Sequence, residues 1–306
     1  MDDLVRKLSE SVSSVIRGKE DVIKYAIVTL LAKGDLLIED VPGVGKTTLA
    51  FTLAKAIDSE FQRVQCTSDL LPSDIIGVNI FNPETREFEF RKGPLFANIV
   101  LVDEINRTSP KTQSALLEAM SERRVSVDRK TYSIPRPFMV IATQNPIEYH
   151  GTFPLPESQL DRFMLHFRIG YPDHEFERQA LMDNRDFEDI EKIGHVLTKE
   201  DLLKIQVKVS EIRTDQDILD YILAIVEATR GHDRIRLGVS TRGAQFLLKA
   251  SRSLAFVNGR DYVLPDDVKE LSPMVFGHRI ILKSRTYISD ADDIIREIVD
   301  KVSIPL

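Results

Sequence analysis

The 306-residue sequence predicts an α/β fold with a mostly parallel sheet, followed by a smaller, all-helical domain. In the first part of the chain, short apolar runs typical of buried strands alternate with segments of helical periodicity. After residue 170 the helical patterns continue and strand signals almost disappear. This length permits two domains, each with its own core. We therefore expect a core domain over residues 1–170 and a helical domain over residues 171–306.

The elements follow in order along the chain. Residues 21–33 carry apolar positions at helical spacing, and Gly34 is placed to end that helix. A strand is predicted at Leu36–Ile38 and a helix at Thr47–Ile57. Further strands are predicted at Arg63–Cys66, Ile99–Val102 and Phe138–Ala142. The second domain is predicted to hold helices at Glu175–Asn184, Lys199–Val207, Asp215–Arg230, Thr241–Phe256 and Pro265–Val275.

Composition and charge describe an ordinary globular protein. Hydrophobic residues at 42% and charged residues at 29% exclude an intrinsically disordered chain and a fibrous repeat. The formal charge of -7, with no long Lys/Arg run, argues against non-specific nucleic-acid binding. The sequence begins with the acidic Met1-Asp2-Asp3, where a secretory signal needs a basic flank and an apolar run, so we do not expect export. No apolar stretch approaches the roughly 20 residues that span a bilayer. We expect a cytoplasmic protein that does not insert into membranes.

The segment Asp40–Thr48, between a predicted strand and a predicted helix, has the pattern of a phosphate-binding loop. Gly43 and Gly45 allow backbone N–H groups to curl around phosphate oxygens. Lys46 is placed to reach the β- and γ-phosphates, and the Thr47 hydroxyl to ligate Mg2+. An accidental Gly-rich turn is the alternative. We assign the nucleotide contacts of this loop to Pro42, Gly43, Val44, Gly45, Lys46, Thr47 and Thr48.

One position of this loop departs from the pattern G-x-x-x-x-G-K-[ST]. The pattern has glycine where this chain has Asp40. An aspartate adopts the left-handed backbone conformation more readily than most residues. Its carboxylate would repel phosphates, however, unless it points away from them.

The second half of a nucleotide site is an acidic residue at the end of an apolar strand. Ile99–Val102 is followed by Asp103 and Glu104. Asp103 would hold Mg2+, directly or through water, while Glu104 would polarise the water that attacks the γ-phosphate. Apolar strands that end in Asp-Glu also occur by chance, so this assignment depends on the phosphate loop.

A polar amide follows the third predicted strand, which ends near Thr143. Asn145 comes two residues later and directly precedes Pro146. In a parallel sheet the carboxyl ends of the strands border the ligand crevice, so Asn145 could contact the γ-phosphate or the attacking water. Alternatively, it caps a turn before the proline.

Six ordered segments together make the chain resemble the MoxR-type AAA+ ATPases, in the branch that also resembles magnesium-chelatase and MCM-type motors. The resemblance covers nearly the whole chain. The segments are residues 39–47, 102–107, 115–122, 142–146, 153–163 and 276–279. It implies a P-loop AAA+ αβα core followed by a helical lid, and ATP hydrolysis with Mg2+. The acidic Asp40 is a familiar variant within this resemblance.

The resemblance also implies roles for residues outside the phosphate loop. Asn145 matches the sensor-1 residue, and Arg162 matches the arginine finger that a neighbouring subunit presents to the γ-phosphate. From the residues alone, Arg162 would more often be a surface ion pair with Asp161 or Glu157. Arg242 matches the sensor-2 arginine, although Thr241 stands where the family has proline.

The N-terminal segment Val15–Gly18 resembles the part of the family that covers the adenine. Ile16 would supply apolar contact and Gly18 close approach. An apolar pair at this place is also compatible with plain core packing.

Two β-hairpins are predicted, between residues 75 and 93 and between residues 124 and 134. By resemblance these are the helix-2 insert and the pre-sensor-1 hairpin, which face the central pore or the client. The alternative is that they are edge strands that merely extend a surface.

Three functions from different classes fit these observations. The first is an ATP-driven, hexameric ring that remodels client protein complexes or metal-cofactor proteins, with a separate von Willebrand factor A-domain partner, as the resemblance implies. The second is a nucleic-acid-dependent motor ATPase, against which the net charge of -7 counts. The third is a non-catalytic scaffold that ATP merely switches between conformations.

Overall fold

The computed structural model describes residues 2–146, 151–183, 193–284 and 288–304. Its α-helices are α1 (Asp3–Ser13), α2 (Glu20–Leu31), α3 (Lys46–Ala56), α4 (Pro72–Ile76), α5 (Pro110–Glu122), α6 (Glu157–Leu160), α7 (His174–Asp183), α8 (Lys199–Ser210), α9 (Gln216–Gly231), α10 (Thr241–Val257), α11 (Pro265–Phe276) and α12 (Ile288–Lys301). Its strands are β1 (Leu36–Glu39), β2 (Phe61–Gln65), β3 (Gly77–Asn82), β4 (Glu87–Lys92), β5 (Ile99–Asp103), β6 (Arg124–Val127), β7 (Lys130–Ser133), β8 (Met139–Gln144), β9 (Leu165–Phe167), β10 (Ile235–Leu237) and β11 (Ile281–Leu282). The predicted helix end at Asn184 lies outside the described residues.

The central sheet has five strands in the order β2-β5-β8-β1-β9, and every pair in it is parallel. Leu36 of β1 pairs with Ile141 of β8 on one side and with Leu165 of β9 on the other. The carboxyl ends of β1, β5 and β8 therefore meet at one edge, which we call the nucleotide edge. The start of β9 lies at the opposite edge, which we call the arginine edge. This arrangement confirms the predicted parallel sheet.

The two faces of the sheet are buried in different apolar clusters. Along β5, Ile99 and Leu101 belong to one cluster while Val100 and Val102 belong to the other, because successive side chains of a strand point to opposite faces. The first cluster is the larger one and continues into the helices that follow residue 199. A β-sheet covered on both faces explains why its strands are apolar runs without alternation.

The helices after residue 199 pack on α2 through apolar and polar contacts. Gln206 Nε2 donates to Leu30 O at 2.8 Å, and Ser253 Oγ donates to Val28 O at 2.8 Å. This region is helical as expected, and it also holds an antiparallel pair, β10 with β11, that the sequence analysis did not predict. The division at residue 170 remains a prediction. No helix in the described ranges is long and apolar enough to cross a membrane.

Gly34 was placed to end α2, and the helix does end shortly before it, at Leu31, but another residue makes the turn. Lys33 takes the positive φ, at 59°, and the Gly34 N–H bonds to Thr29 O at 2.9 Å. A Cβ at Gly34 would lie 2.5 Å from Met164 Sδ. The glycine therefore permits close packing, and the lysine makes the turn.

The two predicted hairpins form, as β3 with β4 and as β6 with β7. Neither joins the five-stranded sheet, since each is a separate two-stranded sheet. They contact each other instead: the rings of Phe90 and Tyr132 stack at 4.1 Å, and Asn79 Nδ2 donates to Asp128 Oδ2 at 2.7 Å. What the paired hairpins face in an assembly remains a prediction.

Candidate nucleotide site

The phosphate loop lies between β1 and α3, at the nucleotide edge of the sheet. Gly43 and Gly45 have φ of 88° and 89°, and Gly45 caps the start of α3. A Cβ on either glycine would meet no atom within 4 Å, so the backbone conformation rather than space requires glycine here. The unpaired N–H groups at the start of α3 favour an anion, and Thr47 and Thr48 lie in this first turn.

Lys46 closes the loop on itself. Its Nζ donates to Asp40 O at 2.7 Å and to Val41 O at 3.2 Å. Partial burial lowers the pKa of the Lys46 ammonium, and the nearby Asp103 and Asp40 carboxylates oppose that shift. The Lys46 ammonium is thus held by two carbonyl oxygens of the loop, beside the glycines, and a bound phosphate would compete with these carbonyls for it.

The hydrogen bonds of Asp40 show why its carboxylate need not repel bound phosphates. The carboxylate accepts the N–H groups of Val41 at 2.8 Å, Ile169 at 2.7 Å and Gly170 at 2.6 Å. It therefore points away from the phosphate loop and ties this loop to the chain that follows β9. The suggested left-handed conformation is wrong, because Asp40 is not among the residues with positive φ.

The segment proposed to cover the adenine packs against the same stretch of chain after β9. Gly18 has a φ of 68°, and a Cβ there would lie 2.3 Å from a ring carbon of Phe176. Lys19 Nζ donates to Ile169 O at 2.8 Å. Ile16 packs against the main apolar cluster, as the plain-core alternative also expects. Of the two residues assigned to the adenine, Gly18 has the more specific contact, because its position against Phe176 leaves no room for a Cβ.

The two acidic residues at the end of β5 are held in different ways. Asp103 is 8% exposed, and its carboxylate accepts from Thr143 Oγ1 at 2.7 Å and from Arg63 Nη2 at 2.6 Å. Glu104 has a φ of 56°, a left-handed conformation that costs energy for a non-glycine residue. The Thr143 hydroxyl also accepts the Glu104 N–H at 2.9 Å, which supports this strained backbone.

The Glu104 carboxylate is restrained by two side chains that sequence analysis did not identify. Its Oε2 accepts from Gln65 Nε2 at 3.2 Å and from Arg107 Nη1 at 2.9 Å. Gln65 lies opposite Asp103 in the register of β2 with β5. The sequence shows polar residues at alternate positions of β2, Arg63 and Gln65. That they contact Asp103 and Glu104 follows only from β2 being the neighbour of β5.

Asn145 directly follows β8 and is 7% exposed. Because Val102 pairs with Ala142 in the parallel register of β5 and β8, Asn145 lies at the same edge as Glu104. Its contact with a nucleotide and its alternative role in a turn before Pro146 both stay predictions.

The residues at this edge fit a nucleotide with Mg2+. Thr47 offers a hydroxyl and Asp103 a carboxylate, the hard oxygen ligands that Mg2+ prefers. Among the described residues, no cluster of three or more His, Cys, Asp and Glu side chains could hold a metal ion. A Mg2+ ion here would therefore need phosphate oxygens and waters as further ligands, which is its usual mode in nucleotide sites.

Arg162 lies at the arginine edge, away from the phosphate loop. It comes three residues before Leu165, which pairs with the first residue of β1, whereas the loop follows the last. At about 3.3 Å per residue, the two edges are roughly 10 Å apart along β1 alone. Arg162 Nη1 donates to Leu117 O at 2.6 Å and to Ser121 Oγ at 3.0 Å on α5. The alternative ion pairs with Asp161 or Glu157 are not formed by these described side chains.

Arg242 also lies at the arginine edge. Its Nη1 is 3.7 Å from Asp161 Oδ2, and its side chain is 52% exposed. Ser240 caps α10 by accepting the Gly243 N–H at 3.2 Å, so threonine in place of proline at position 241 leaves the helix start intact. The predicted site residues therefore fall into two groups. Lys46, Asp103, Glu104 and Asn145 share the nucleotide edge, and Arg162 and Arg242 share the other.

Comparisons with known proteins agree with this geometry. The ATPase family associated with various cellular activities (AAA) matches residues 35–165, and the AAA lid domain matches residues 227–298. A crystal structure of an ATPase candidate from Cytophaga hutchinsonii superposes with a TM-score of 0.90 at 38% identity, over 99% of this chain and 96% of that one.

Curated relatives are similar over most of their length. The uncharacterized protein YeaC of Bacillus subtilis is 48% identical, over 99% of this chain and 95% of its own. Chaperone MoxR1 of Mycobacterium tuberculosis is 42% identical, over 94% of this chain and 78% of its own. Protein MoxR of Paracoccus denitrificans is 32% identical, over 90% and 88% respectively. The chain therefore belongs to the MoxR family of AAA+ ATPases, and it is an ATP-hydrolysing enzyme.

Proposed function

We propose that each ATP site is completed by two copies of the chain, so that hydrolysis requires a ring. The single observation that supports this is the separation of the predicted residues onto opposite edges of one sheet. In one protomer, Arg162 is bonded to α5 and lies at the opposite end of β1 from the phosphate loop. A neighbouring copy can present Arg162 and Arg242 there, and a cation supplied in this way stabilises the charge of the transition state.

Within the site, each residue has a role that its position supports. The α3 N-terminus and Lys46 bind the phosphates, while Thr47 and Asp103 would hold Mg2+, which neutralises phosphate charge when bound. Glu104 orients and polarises the attacking water, and Gln65 and Arg107 restrain its carboxylate. Asn145 contacts the γ-phosphate or that water. Ile16 and Gly18 border the adenine.

A subunit-mixing experiment tests the shared site. Arg162→Ala lacks the finger but keeps its phosphate loop, whereas Glu104→Gln keeps the finger but cannot hydrolyse ATP. Each variant alone should be nearly inactive. Mixed under conditions that allow exchange, they should regain turnover, because a Glu104→Gln subunit supplies the finger to an intact loop. A mixture as inactive as its components would contradict the proposal.

We further propose that the ring remodels a protein client, with the paired hairpins as the contact surface. The hairpin of β3 and β4 exposes apolar side chains, with Phe88 69% and Phe81 49% exposed. Exposed apolar side chains grouped on one surface support a contact with another protein. A hexameric state, maturation of protein complexes or metal-cofactor proteins, and a separate von Willebrand factor A-domain partner complete this proposal. Their support is the family, whose relatives include one named as a chaperone.

A client trap distinguishes this role from a nucleic-acid motor. The Glu104→Gln protein, loaded with ATP and Mg2+, is used to recover binding partners from a lysate of the source cell. A defined protein set that resists nuclease and is lost with ADP supports remodelling, and its loss in Phe81→Ser/Phe88→Ser places the contact on the hairpin. Recovery that disappears with nuclease, together with salt-sensitive stimulation of turnover by DNA, would support the motor instead.

A further inference from the structure

Arg279 is a buried arginine that binds the stretch of chain carrying Arg162. It belongs to a short 3-10 helix, Gly277–Arg279, and its side chain is 1% exposed. Arg279 Nε donates to Asp161 Oδ1 at 2.9 Å, and Nη2 donates to Asp161 O at 3.2 Å. The guanidinium also donates to Phe163 O, and to Met164 O at 3.3 Å. One side chain thus holds the backbone on both sides of residue 162.

The surroundings keep this guanidinium charged and fixed. Burial lowers its pKa to about 10 and the Asp161 carboxylate opposes the shift, so the group remains a cation at neutral pH. Its Cζ lies 5.0 Å from the centroid of the Phe246 ring, which favours a cation at that face. A Cβ at Gly243 would lie 3.0 Å from Arg279 Cδ, so the glycine leaves room for the side chain.

Asp161 connects Arg279 to the second arginine of this edge. While its Oδ1 accepts from Arg279, its Oδ2 lies 3.7 Å from Arg242 Nη1. Ser240 Oγ, at the start of α10, also donates to the same carboxylate at 3.3 Å. The orientation of Asp161 therefore influences where Arg242 lies, and its backbone continues directly into Arg162.

We propose that Arg279 is a positioning residue for ATP hydrolysis in the neighbouring subunit. It holds residues 161–164 and the Asp161 carboxylate, so that Arg162 and Arg242 are presented to the next phosphate loop. Arg279 itself touches neither ATP nor the reacting water. This inference rests on the proposed shared site, and it gives the Phe276–Arg279 motif a role in ATP hydrolysis.

The first test separates turnover from nucleotide binding. Arg279→Leu should reduce kcat about 10-fold or more, in keeping with a misplaced finger. Its own phosphate loop is intact, so the Kd for a fluorescent ATP analogue should stay within about 2-fold of wild type. Arg279→Lys keeps the charge but not the planar fork, so it should restore part of the rate. If Arg279→Leu weakened ATP binding by as large a factor as it lowered kcat, the proposal would be overturned.

The control breaks a comparable ion pair elsewhere in the helical region. Arg260 Nη1 and Nη2 donate to the two Asp267 carboxylate oxygens at 2.7 and 2.5 Å, with side chains 20% and 3% exposed. Arg260→Leu should lower thermal stability while keeping turnover within about 2-fold of wild type. If it lowers kcat as much as Arg279→Leu, the effect is general destabilisation and the proposal is wrong.

Mixing decides whether Arg279 acts on the neighbour. In an equal mixture of Arg279→Leu and Glu104→Gln, half of the loops are intact and half of these meet an intact finger, so about a quarter of wild-type turnover should return. If Arg162→Ala is rescued by Glu104→Gln but Arg279→Leu is not, the positioning role is overturned while the shared site stands. If neither is rescued, the shared site itself fails. Should Arg279→Leu not fold, Asp161→Asn breaks the same contact from its partly exposed side and should behave in the same way.

Discussion

The two edges of the central sheet differ in how the chain positions their functional residues. At the nucleotide edge, Asp103 ends β5, Asn145 directly follows β8 and Lys46 follows β1 after a short loop, so their positions depend on short local segments. At the arginine edge, Arg162, Arg242 and the residues that hold them come from segments far apart in the chain. The residues of the nucleotide edge can be predicted from contiguous motifs. Those of the arginine edge come together only when the helical region packs on the sheet.

The edges also differ in what surrounds their charges. At the nucleotide edge, carboxylates are held by hydroxyl, amide and guanidinium donors that leave Glu104 partly exposed. At the arginine edge, a nearly fully buried Arg279 holds the chain, while Arg242 remains 52% exposed. Arg242 is therefore an exposed cation beside the buried and fixed Arg279, an arrangement that suits contact with a second molecule. Because the two edges differ in this way, a substitution can disrupt the function of one edge and leave the other intact.

The largest effect is expected at the nucleotide edge. Glu104→Gln removes the group that polarises the attacking water and should lower kcat about 100-fold or more, while ATP binding is retained. Steady-state turnover and titration with a fluorescent ATP analogue measure the two properties. Glu118→Gln, an exposed glutamate on α5, serves as the control. Turnover within a few-fold of wild type would refute the assignment of Glu104.

The next effect concerns the support of the phosphate loop. Asp40→Ala removes an acceptor of three backbone N–H groups and should lower the free energy of unfolding by about 2–3 kcal/mol. Asp40→Asn keeps one carbonyl acceptor and should lose less. Thermal unfolding measures both, with exposed Asp220→Ala as the control. An unchanged Tm for Asp40→Ala would show that these contacts contribute nothing net.

A smaller effect is expected for the exposed arginine of the other edge. Arg242→Ala should lower turnover about 10-fold, and an equal mixture with Glu104→Gln should restore part of it. Arg213→Ala removes a 71% exposed arginine paired with Asp215 and should change nothing. If mixing fails for Arg242→Ala although it succeeds for Arg162→Ala, Arg242 acts on its own loop and the two-edge division is wrong for this residue.

The smallest effect concerns the pH dependence of the packed helical region. Burial raises the pKa of Asp292, on α12, to about 6. The folded state then binds more protons than the unfolded state between about pH 4 and 6, so this group costs stability as the pH rises through that window. Asp292→Asn removes the charge and should raise stability by about 1 kcal/mol at pH 7.5. The gain should be much smaller near pH 4, where the Asp292 carboxyl of the folded protein is protonated and carries no buried charge. If the Tm difference between Asp292→Asn and the wild type were the same at both pH values, the buried Asp292 charge would not be its cause.

Much of the fold was predictable from local signals. The strands β1, β5 and β8 were predicted because buried parallel strands are apolar runs, and both hairpins because their residues alternate around turns. The strand β9, with three residues, was missed because so short a run has no distinct period. The helices α1 and α12 and the pair of β10 with β11 were also missed. The apolar residues of α1 and α12 do recur at helical spacing, as at Val5, Leu8 and Val12, so these two helices were predictable from the sequence pattern. The pairing of β10 with β11 joins segments distant in the chain, which local patterns do not indicate.

The site divides in the same way. The sequence by itself determined the phosphate loop, the acidic strand end and the resemblance that names Arg162 and Arg242, because each depends on adjacent residues with defined chemistry. Only the tertiary structure decided that the Asp40 carboxylate points away from the loop, that Gln65 restrains Glu104, and that Arg279 holds residues 161–164. These contacts join residues distant in the chain. Strand order and helix packing bring them together, and neither is a property of any short segment.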